Sequence, residues 1–395
     1  MRVLMVISQF HPIIGGAEKQ AQLLGRALIE RGIDVDVVTG WWDRRTPRRE
    51  KVEGLRVFRN FSSWGMFGIK GLRTLGAFTY MASLGLHLLV CGQKYDLIHV
   101  HQVLYPAFVS ALIGKTFLRK PVLVKNACSG VTSDIVHMKR FPFGSRQLNY
   151  LVKSMDCLVT VNEEGASEFK AVGYPGSKIA RISNGVLIPR EGKASYHRVL
   201  RVLTTARLDT QKGIDVLLNA WVHIVQQHPG IRLTVLGQGP AEKELKGLSG
   251  ELGLAGSVEF PGLTRHIEKY LQEADLFVLP SRAEGLSNAL LEALSYGIPC
   301  IATNLAGNRE LLGGDNTPVS SGGFRVTPNG LLVNVDDERG LSEAILHLIQ
   351  NSKEREEMGR RGRAFIVERY SIDRIADQYL ALYQRLLEGF PEGSS

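Results

Sequence analysis

Residues 276–294 read LFVLPSRAEGLSNALLEAL, a short apolar run followed by a longer segment of helical character. Its first part, Leu276 to Pro280, is a short apolar run of the kind that forms a buried strand. A helix is predicted to begin just after Glu284 and to contain Glu292, which makes the stretch one strand-to-helix unit. Ligands of doubly wound sheets bind at the carboxyl ends of the strands, so the polar residues after Pro280 are candidates for a binding site.

The same alternation of apolar runs and longer helical stretches recurs along the 395 residues. Repeated strand–helix units indicate parallel sheets, and a chain of this length exceeds one ordinary core. We therefore predict an α/β protein with two doubly wound domains, 1–190 and 198–370, separated by a polar bridge from Pro189 to Arg198. Two further helices are predicted between Lys353 and Leu387, divided near Tyr370-Ser371. The predicted strands are Val3 to Ile7, Val35 to Thr39, Leu97 to His101, Val122 to Lys125, Cys157 to Val161, Val199 to Thr204, Arg232 to Gly237, Ser257 to Pro261, Leu276 to Pro280 and Pro299 to Ala302.

Composition narrows the class of protein. A formal net charge of +9 and a pI near 9.4 predict attraction to an anionic partner, whether nucleic acid, a phosphorylated substrate or an acidic leaflet. Met1 to Ile7 lacks the features of a secretory signal, and no stretch reaches the roughly 18 uncharged apolar residues of a spanning helix, Thr74 to Gly92 coming nearest. We predict a cytoplasmic location, with peripheral contact at the inner face of the cell membrane left open. The scattered cysteines are predicted to be reduced core residues: Cys91, Cys128, Cys157 and Cys300.

Two cations follow the first predicted strand of the second half. Arg207 and Lys212 lie five residues apart on a strand-to-helix loop. The guanidinium of Arg207 can bond two phosphate oxygens while Lys212 supplies a compact charge beside them, an arrangement that suits a diphosphate. The alternative is a solvated surface pair.

Two carboxylates complete this candidate site. Glu292, inside the predicted helix, can accept hydrogen bonds from vicinal sugar hydroxyls such as those of a ribose, while Glu284 faces a transferred sugar. Backbone N–H groups near the helix start would point at the phosphates. The alternative is that Glu284 only favours the helix N-terminus and that Glu292 is an exposed helical residue. The N–H groups in question belong to Gly285, Leu286, Ser287 and Asn288.

Glycines mark two further candidate loops. Gly15 and Gly16 follow the first strand and precede a helix predicted from about Glu18 to Arg31, so backbone and helix N-terminus could approach a phosphate. Gly262 follows another strand and could meet a nucleotide base through backbone groups. Ordinary turns remain the alternative at both places.

Four motifs together resemble glycosyltransferase family four, the retaining enzymes of GT-B fold. They are Gly15-Gly16-Ala17-Glu18, Asn184-Gly185-Val186, Arg207-Leu208 with Lys212-Gly213, and the run from Glu284 to Glu292, in the family's order along nearly the whole chain. The resemblance implies two Rossmann-like domains facing across a cleft, with the helix at about 372–390 crossing back to the N-terminal domain. That domain would bind the acceptor, and the C-terminal domain the nucleotide sugar.

The resemblance also implies roles for single residues. Glu284 would lie against the donor sugar, Glu292 would bind the ribose, and Arg207 with Lys212 would hold the diphosphate, with no metal and no cofactor beyond the UDP- or GDP-sugar donor. A family histidine near the donor sugar and acceptor is matched best by His101. Strand alternation puts His99 on the same face, but His101 lies closer to the strand's carboxyl end. A structural histidine is the alternative.

The chain departs from the family pattern at two places. Leu305-Ala306-Gly307-Asn308-Arg309-Glu310 keeps one of two glycines that many members carry, which affects donor sugar contacts. The segment from Gly313 to Pro328 is longer than a compact connection needs and is predicted to be a mobile loop.

The acceptor is the least determined partner. A saccharide or lipid-linked acceptor fits the family, and a basic, aromatic and apolar stretch would suit contact with an anionic membrane. A buried helix pair beside a solvated charged loop is the alternative. Nucleic-acid binding has only charge in its support, and a nucleotide-sugar epimerase or other enzyme of the same fold stays open. The residues concerned are Arg44, Arg45, Arg48, Arg49, Lys51, Trp64, Met66, Phe67, Lys70, Arg73, Phe78 and Tyr80.

Overall fold

The computed structural model describes residues 1–13, 15–63, 73–128, 130, 133–196, 198–264 and 266–389. The chain divides into two compact units. Unit 1 contains Met1–Gly185 and the segment from Ile372 onward, and unit 2 is Val186–Ser371. Both are built around parallel sheets, as the fold prediction requires. Trp64, Met66, Phe67 and Lys70 of the predicted basic and aromatic stretch lie outside the described residues.

Unit 1 contains an eight-stranded sheet in the order β3-β4-β2-β1-β5-β6-β7-β8. All neighbouring pairs are parallel except β3 and β4, which form an antiparallel hairpin. The strands are Arg2–Ile7 (β1), Asp34–Gly40 (β2), Arg49–Val52 (β3), Leu55–Asn60 (β4), Leu97–His101 (β5), Val122–Lys125 (β6), Cys157–Thr160 (β7) and Ile179–Arg181 (β8). The helices are Gly16–Glu30 (α1), Arg73–Cys91 (α2), Tyr105–Ile113 (α3), Asp134–Arg140 (α4), Gly144–Ser154 (α5), Glu163–Ala171 (α6) and Ile372–Glu388 (α14).

Both faces of the unit 1 sheet are covered. Alternate residues of β1 point to opposite faces, so Val3 and Met5 pack with α1 and α14 while Leu4 and Val6 pack in the core beneath α2, α3 and α5. A parallel sheet covered on both sides reads as a continuous apolar run, which is why β1 was predictable. The last helix, α14, belongs to this unit and buries Tyr379 and Tyr383 against the sheet.

Unit 2 contains a seven-stranded sheet in the order β11-β10-β9-β12-β13-β15-β14, in which only β14 runs antiparallel to its neighbour. The strands are Arg201–Thr205 (β9), Arg232–Leu236 (β10), Val258–Gly262 (β11), Leu276–Leu279 (β12), Cys300–Thr303 (β13), Phe324–Thr327 (β14) and Gly330–Val333 (β15). The helices are Ile214–Gln227 (α7), Glu242–Glu251 (α8), Ile267–Glu273 (α9), Asn288–Ser295 (α10), Ala306–Leu312 (α11), Glu338–Gln350 (α12) and Ser352–Tyr370 (α13).

Five strands were not predicted: β3, β4, β8, β14 and β15. The prediction that Gly313 to Pro328 is one long loop is wrong at its end, because β14 lies there and pairs with β15. The earlier part is tied to β14, since Arg325 Nη1 donates to Asp315 Oδ1 at 2.9 Å. The break between the last two helices falls at Ser371, as predicted.

The helix α2 differs from its prediction. Among the described residues, Thr74–Lys94 reaches the length and mean hydropathy of a membrane-spanning helix, with 39% of its most apolar window buried. Core helices of soluble proteins can be equally long and equally apolar. The cysteine prediction holds in part: all four thiols are free, with Cys157 and Cys300 buried and Cys91 and Cys128 partly exposed.

Candidate functional site

Two loops meet at the carboxyl edge of the unit 2 sheet. Lys212 ends a short 3-10 turn after β9, and Glu284 lies on the loop after β12. Lys212 Nζ is 2.8 Å from Glu284 Oε1, and Ser281 Oγ donates to the same oxygen at 2.9 Å. The two charged side chains keep 20% and 11% of their surface exposed, respectively. A charge-balanced pair therefore stands at the predicted diphosphate position and remains open to solvent.

The same two loops are joined along their backbones by residues that the sequence analysis did not single out. Arg282 N–H donates to Gln211 O at 2.7 Å, and Gln211 Nε2 donates to Ala283 O at 3.0 Å. The Arg282 guanidinium bonds Asp215 at 2.6 Å and Asp336 at 2.7 Å, and its contact with Asp215 raises the pKa of Arg282. These bonds fix Lys212 and Glu284 relative to each other. Arg282 lies shortly after β12 in the sequence, and this position after an apolar strand is the signal that could have indicated it.

Arg207 is the exposed cation of this edge. Its side chain is 75% exposed and its nearest acid, Asp209 Oδ2, is 3.8 Å from Arg207 Nε. Arg207 precedes Leu208, whose N–H donates to Gln238 O at 3.1 Å, so the loops after β9 and β10 are joined. The guanidinium therefore projects from a backbone that is held in place.

Glycines let the neighbouring loops approach closely. A Cβ on Gly237, where φ is +135°, would lie 1.8 Å from Ala206 O, and one on Gly239 would lie 2.1 Å from Leu208 O. Gly237 N–H also donates to Gly262 O at 3.0 Å, so the end of β11 joins the same array. Gly237 and Gly239 thus pack the edge of unit 2.

The helix α10 begins later than the predicted N–H cluster. Ser287 is its N-cap and Oγ accepts the Leu290 N–H at 3.3 Å, while Asn288 is the first helical residue. Of the four predicted N–H donors, Asn288 is therefore the one inside the helix. Gly285 and Leu286 belong to the preceding loop, where Leu286 is buried. Glu292 is half-buried on α10.

The glycine loop of unit 1 is already engaged. Gly15 is the N-cap of α1, and Glu18 lies in the first turn of this helix. The Glu18 carboxylate accepts backbone hydrogen bonds at Gly15 and Glu18, while burial raises the pKa of this carboxyl. A third-position glutamate that bonds the N-cap N–H is one half of a capping box. A phosphate at Gly15 and Gly16 would therefore have to displace Glu18.

A buried polar cluster lies where β5 and β6 end. His101 and His99 stack with ring centroids 4.2 Å apart, and His99 Nδ1 is 2.7 Å from Tyr383 Oη. Burial and then the positive charge of Lys125 lower the pKa of His101 to about 3. Among the described residues His101 Nε2 and Tyr379 Oη have no hydrogen-bond partner. His101 is thus a neutral, buried base with an unused ring nitrogen.

Lys125 is the cation of this cluster and was not singled out from the sequence. Its Nζ donates to Asn184 Oδ1 at 2.9 Å, and within the described part of the chain no carboxylate pairs with it. Burial lowers the pKa of Lys125 to about 8. The signal in the sequence was a lysine that closes the otherwise apolar run Val122 to Lys125.

The loops around this cluster are held by one carboxylate. Asp134 Oδ2 accepts the N–H groups of Val103 and Ala127, each at 3.0 Å, and burial raises the pKa of Asp134 to about 6. Asp134 therefore joins the loops that follow β5 and β6. No group of three or more His, Cys, Asp or Glu side chains suited to a metal occurs among the described residues.

Comparison with known proteins covers both units. Residues 14–188 match the family model of glycosyltransferase family 4, and residues 190–365 match that of glycosyl transferases group 1. An uncharacterised glycosyltransferase of Methanocaldococcus jannaschii is 26% identical over 98% of this chain and 99% of its own length. The lipopolysaccharide core biosynthesis glycosyltransferase LpsE of Rhizobium meliloti is 30% identical over 46% of this chain and 48% of its own length.

Solved structures show the same fold. Sucrose-phosphate synthase of Thermosynechococcus elongatus has a TM-score of 0.78 at 20% identity, covering 98% of this chain and 100% of its own. Anabaena HepE, solved in complex with UDP-glucose, has a TM-score of 0.74 at 18% identity, covering 97% of this chain and 99% of its own. With two Rossmann-like units and matching models along both, the chain belongs to glycosyltransferase family four and has the GT-B fold.

Proposed function

We propose that this glycosyltransferase is a retaining, metal-independent hexosyltransferase that uses a UDP- or GDP-sugar. The observation that carries the proposal is the Lys212–Glu284 pair at 2.8 Å, bordered by the exposed guanidinium of Arg207. Two cations on one loop suit a diphosphate, whose charge grows as the sugar leaves. The complex of HepE with UDP-glucose supports a nucleotide sugar as donor.

The proposed reaction begins with an exchange of partners. The diphosphate takes over Lys212 and Arg207, which frees the Glu284 carboxylate to accept hydrogen bonds from hydroxyls of the donor sugar. The bond between the anomeric carbon and the diphosphate oxygen then breaks, while the acceptor oxygen bonds to the same face of that carbon. The acceptor's proton passes to the departing phosphate. Stabilising that phosphate electrostatically is the main contribution of the loop.

The acceptor belongs to the same proposal. A saccharide or lipid-linked acceptor in cell-surface polysaccharide or glycolipid synthesis agrees with the lipopolysaccharide role in the name of LpsE. Unit 1 would bind this acceptor beside His101, and the enzyme would work in the cytoplasm. An epimerase that acts on nucleotide sugars is the alternative activity.

Binding of the donor tests the proposal directly. UDP-, GDP- and ADP-sugars should be compared by the thermal unfolding midpoint, which a ligand of the native state raises. Release of the free nucleoside diphosphate in the presence of acceptors separates a transferase from an epimerase, which releases none. Raised midpoints without any nucleotide release would leave donor binding intact and overturn the transfer.

The role of Glu292 has its own test. Glu292→Gln should weaken donor binding about tenfold or more, because a hydrogen bond to a charged group is lost, with kcat little changed. The matched control is Glu251→Gln, an exposed residue at the end of α8. A loss of kcat at unchanged donor affinity would contradict the ribose assignment.

A further inference from the structure

The helix α2 is apolar on both of its faces. Its inner stripe, Ala77, Tyr80, Leu84 and Leu88, is buried in the core of unit 1. Its outer stripe is exposed, with Leu86 at 63% and Val90 at 71% of their surface accessible. A surface helix of a soluble protein usually carries polar residues on its outer face. The other exposed members of the outer stripe are Leu75, Phe78 and Leu89.

A basic pocket of about 540 Å³ lies between α2 and the outer strands of the sheet. We call it the α2 pocket. Besides Arg59 and Asp36, whose partners are given below, its wall contains three cations, Arg48, Arg49 and Lys94, and the ring of Phe58. Among the described residues none of the three cations has a carboxylate partner, and His87 Nε2 in the same wall has no hydrogen-bond partner.

The acids near the α2 pocket are already committed. Glu50 is paired with Arg59, and Asp36 bonds both Arg56 and the hydroxyl of Tyr95, the latter at 2.8 Å. The free cations therefore leave the pocket with a net positive charge. Such a pocket attracts anions, and an adjacent apolar stripe adds a surface that water does not solvate well.

Arg48 of the α2 pocket also lies close to a second cation. The guanidinium groups of Arg44 and Arg48 both lie over the ring of Trp41, 4.2 and 5.0 Å from its centroid. Cations stacked on one indole repel each other, and an anion placed between them would relieve the repulsion. Charge complementarity thus indicates an anionic surface rather than a neutral one.

We propose that the outer stripe of α2 inserts into the interface of an anionic membrane and that the α2 pocket binds a lipid phosphate. Apolar side chains beside several unpaired cations are what an acidic leaflet recognises. The inference goes beyond sugar transfer and does not depend on it. Two interpretations were given for the basic, aromatic and apolar stretch, contact with an anionic membrane and a buried helix pair. The exposed outer stripe of α2 favours contact with a membrane.

Sedimentation with vesicles tests the proposal, with one variant for the apolar side chains and one for the cations. Vesicles of phosphatidylcholine, with and without phosphatidylglycerol, are compared for wild type, Leu86→Gln/Val90→Gln and Arg49→Gln/Lys94→Gln. Wild type should prefer the anionic vesicles, and added salt should weaken this preference by screening. The apolar double variant should lose binding to both kinds of vesicle. The cationic double variant should bind anionic vesicles roughly 25-fold more weakly, at about fivefold per charge.

Matched controls lie on unit 2. Val326→Gln/Val367→Gln removes two exposed apolar side chains, and Lys243→Gln/Lys353→Gln removes two exposed lysines. Both controls should sediment like wild type, with the thermal midpoint checked for all variants. Binding that ignores phosphatidylglycerol, or equal losses in variants and controls, would overturn the proposal. So would concentration-dependent self-association that Leu86→Gln/Val90→Gln abolishes, because the stripe would then face a second copy of the chain.

Discussion

The polar clusters at the two sheets handle charge in opposite ways. In unit 2 the ammonium of Lys212 faces the Glu284 carboxylate, and both side chains keep part of their surface exposed to solvent. In unit 1 the ammonium of Lys125 is buried and bonds an amide, beside a histidine with an unused nitrogen. The first cluster pairs its cation with a carboxylate, whereas the second holds a buried cation that burial makes easier to deprotonate.

The difference follows from where the residues lie on their elements. Lys212 and Glu284 stand on loops beyond the ends of β9 and β12, where both side chains keep some contact with solvent. His101 and Lys125 are the last residues of β5 and β6, and they point to the face that α14 covers with Tyr379 and Tyr383. A position on the loop after a strand, rather than on the strand itself, thus leaves a charge partly exposed.

The largest effect is expected from a substitution that removes the Lys212–Glu284 pair of unit 2. Lys212→Ala should lower kcat/KM by about 100-fold or more, because it removes charge stabilisation from the leaving diphosphate. Lys243→Ala, an exposed lysine of α8, is the matched control and should keep wild-type rates. Steady-state kinetics measure this effect, and equal thermal unfolding midpoints show that the variants are folded. Near-normal turnover of Lys212→Ala would mean that this lysine does not stabilise the leaving diphosphate.

The second prediction concerns the buried ammonium of unit 1. Burial lowers the pKa of Lys125 from 10.5 to about 8, so below that pH it is charged in both folded and unfolded chains and the native state bears the full desolvation cost. Well above pH 10.5, Lys125 is mostly neutral in both states and that cost has disappeared. The free energy of unfolding of wild type, relative to Lys125→Met, should therefore rise by roughly 3 kcal/mol between these limits.

Denaturant titrations of both proteins at several pH values measure this difference. Lys212→Met is the matched control, because Lys212 is partly exposed and paired with an acid. Its stability difference from wild type should change far less over the same pH range. A flat difference for Lys125→Met would mean that the Lys125 ammonium is solvated in the native protein.

Apolar runs predicted ten strands, most of which are buried along their length, as β5, β12 and β13 are, while the partly exposed edge strand β11 was also predicted. They missed β3 and β4, whose residues alternate between Leu55 or Val57 inside and Arg56 outside, since only continuous apolar runs were read as strands. The strand β14 was missed because Gly and Ser precede it in a segment that resembles a long loop. Continuous apolar runs thus predict most of the buried parallel strands, with β15 as a buried strand that was missed, whereas β3 and β4 show only alternation.

The candidate site was predictable in part for a similar reason. Lys212 and Glu284 could be predicted because they lie on the loops that follow apolar strands. Arg282 and Ser281 were quoted but given no role, since their partners Asp215, Asp336 and Glu284 become neighbours only in the folded chain. Position after a strand can be read from the sequence, whereas hydrogen-bond partners that lie far apart along it cannot.

The smallest expected effect tests how closely the unit 2 edge is packed. A Cβ on Gly307 would lie 1.8 Å from Gly285 O, so Gly307→Ala must displace the backbone beside Glu284. Crowding of this kind costs about 2 kcal/mol of unfolding free energy, measured by denaturant titration. Gly256→Ala is the control, because no atom lies within 4 Å of the added methyl group. Donor affinity should fall in Gly307→Ala alone, because the shifted carbonyl moves Glu284 away from Lys212. An unchanged donor affinity at reduced stability would show that the Lys212–Glu284 pair keeps its geometry when the backbone at Gly285 moves. The packing around Gly307 would then contribute to stability and not to donor binding.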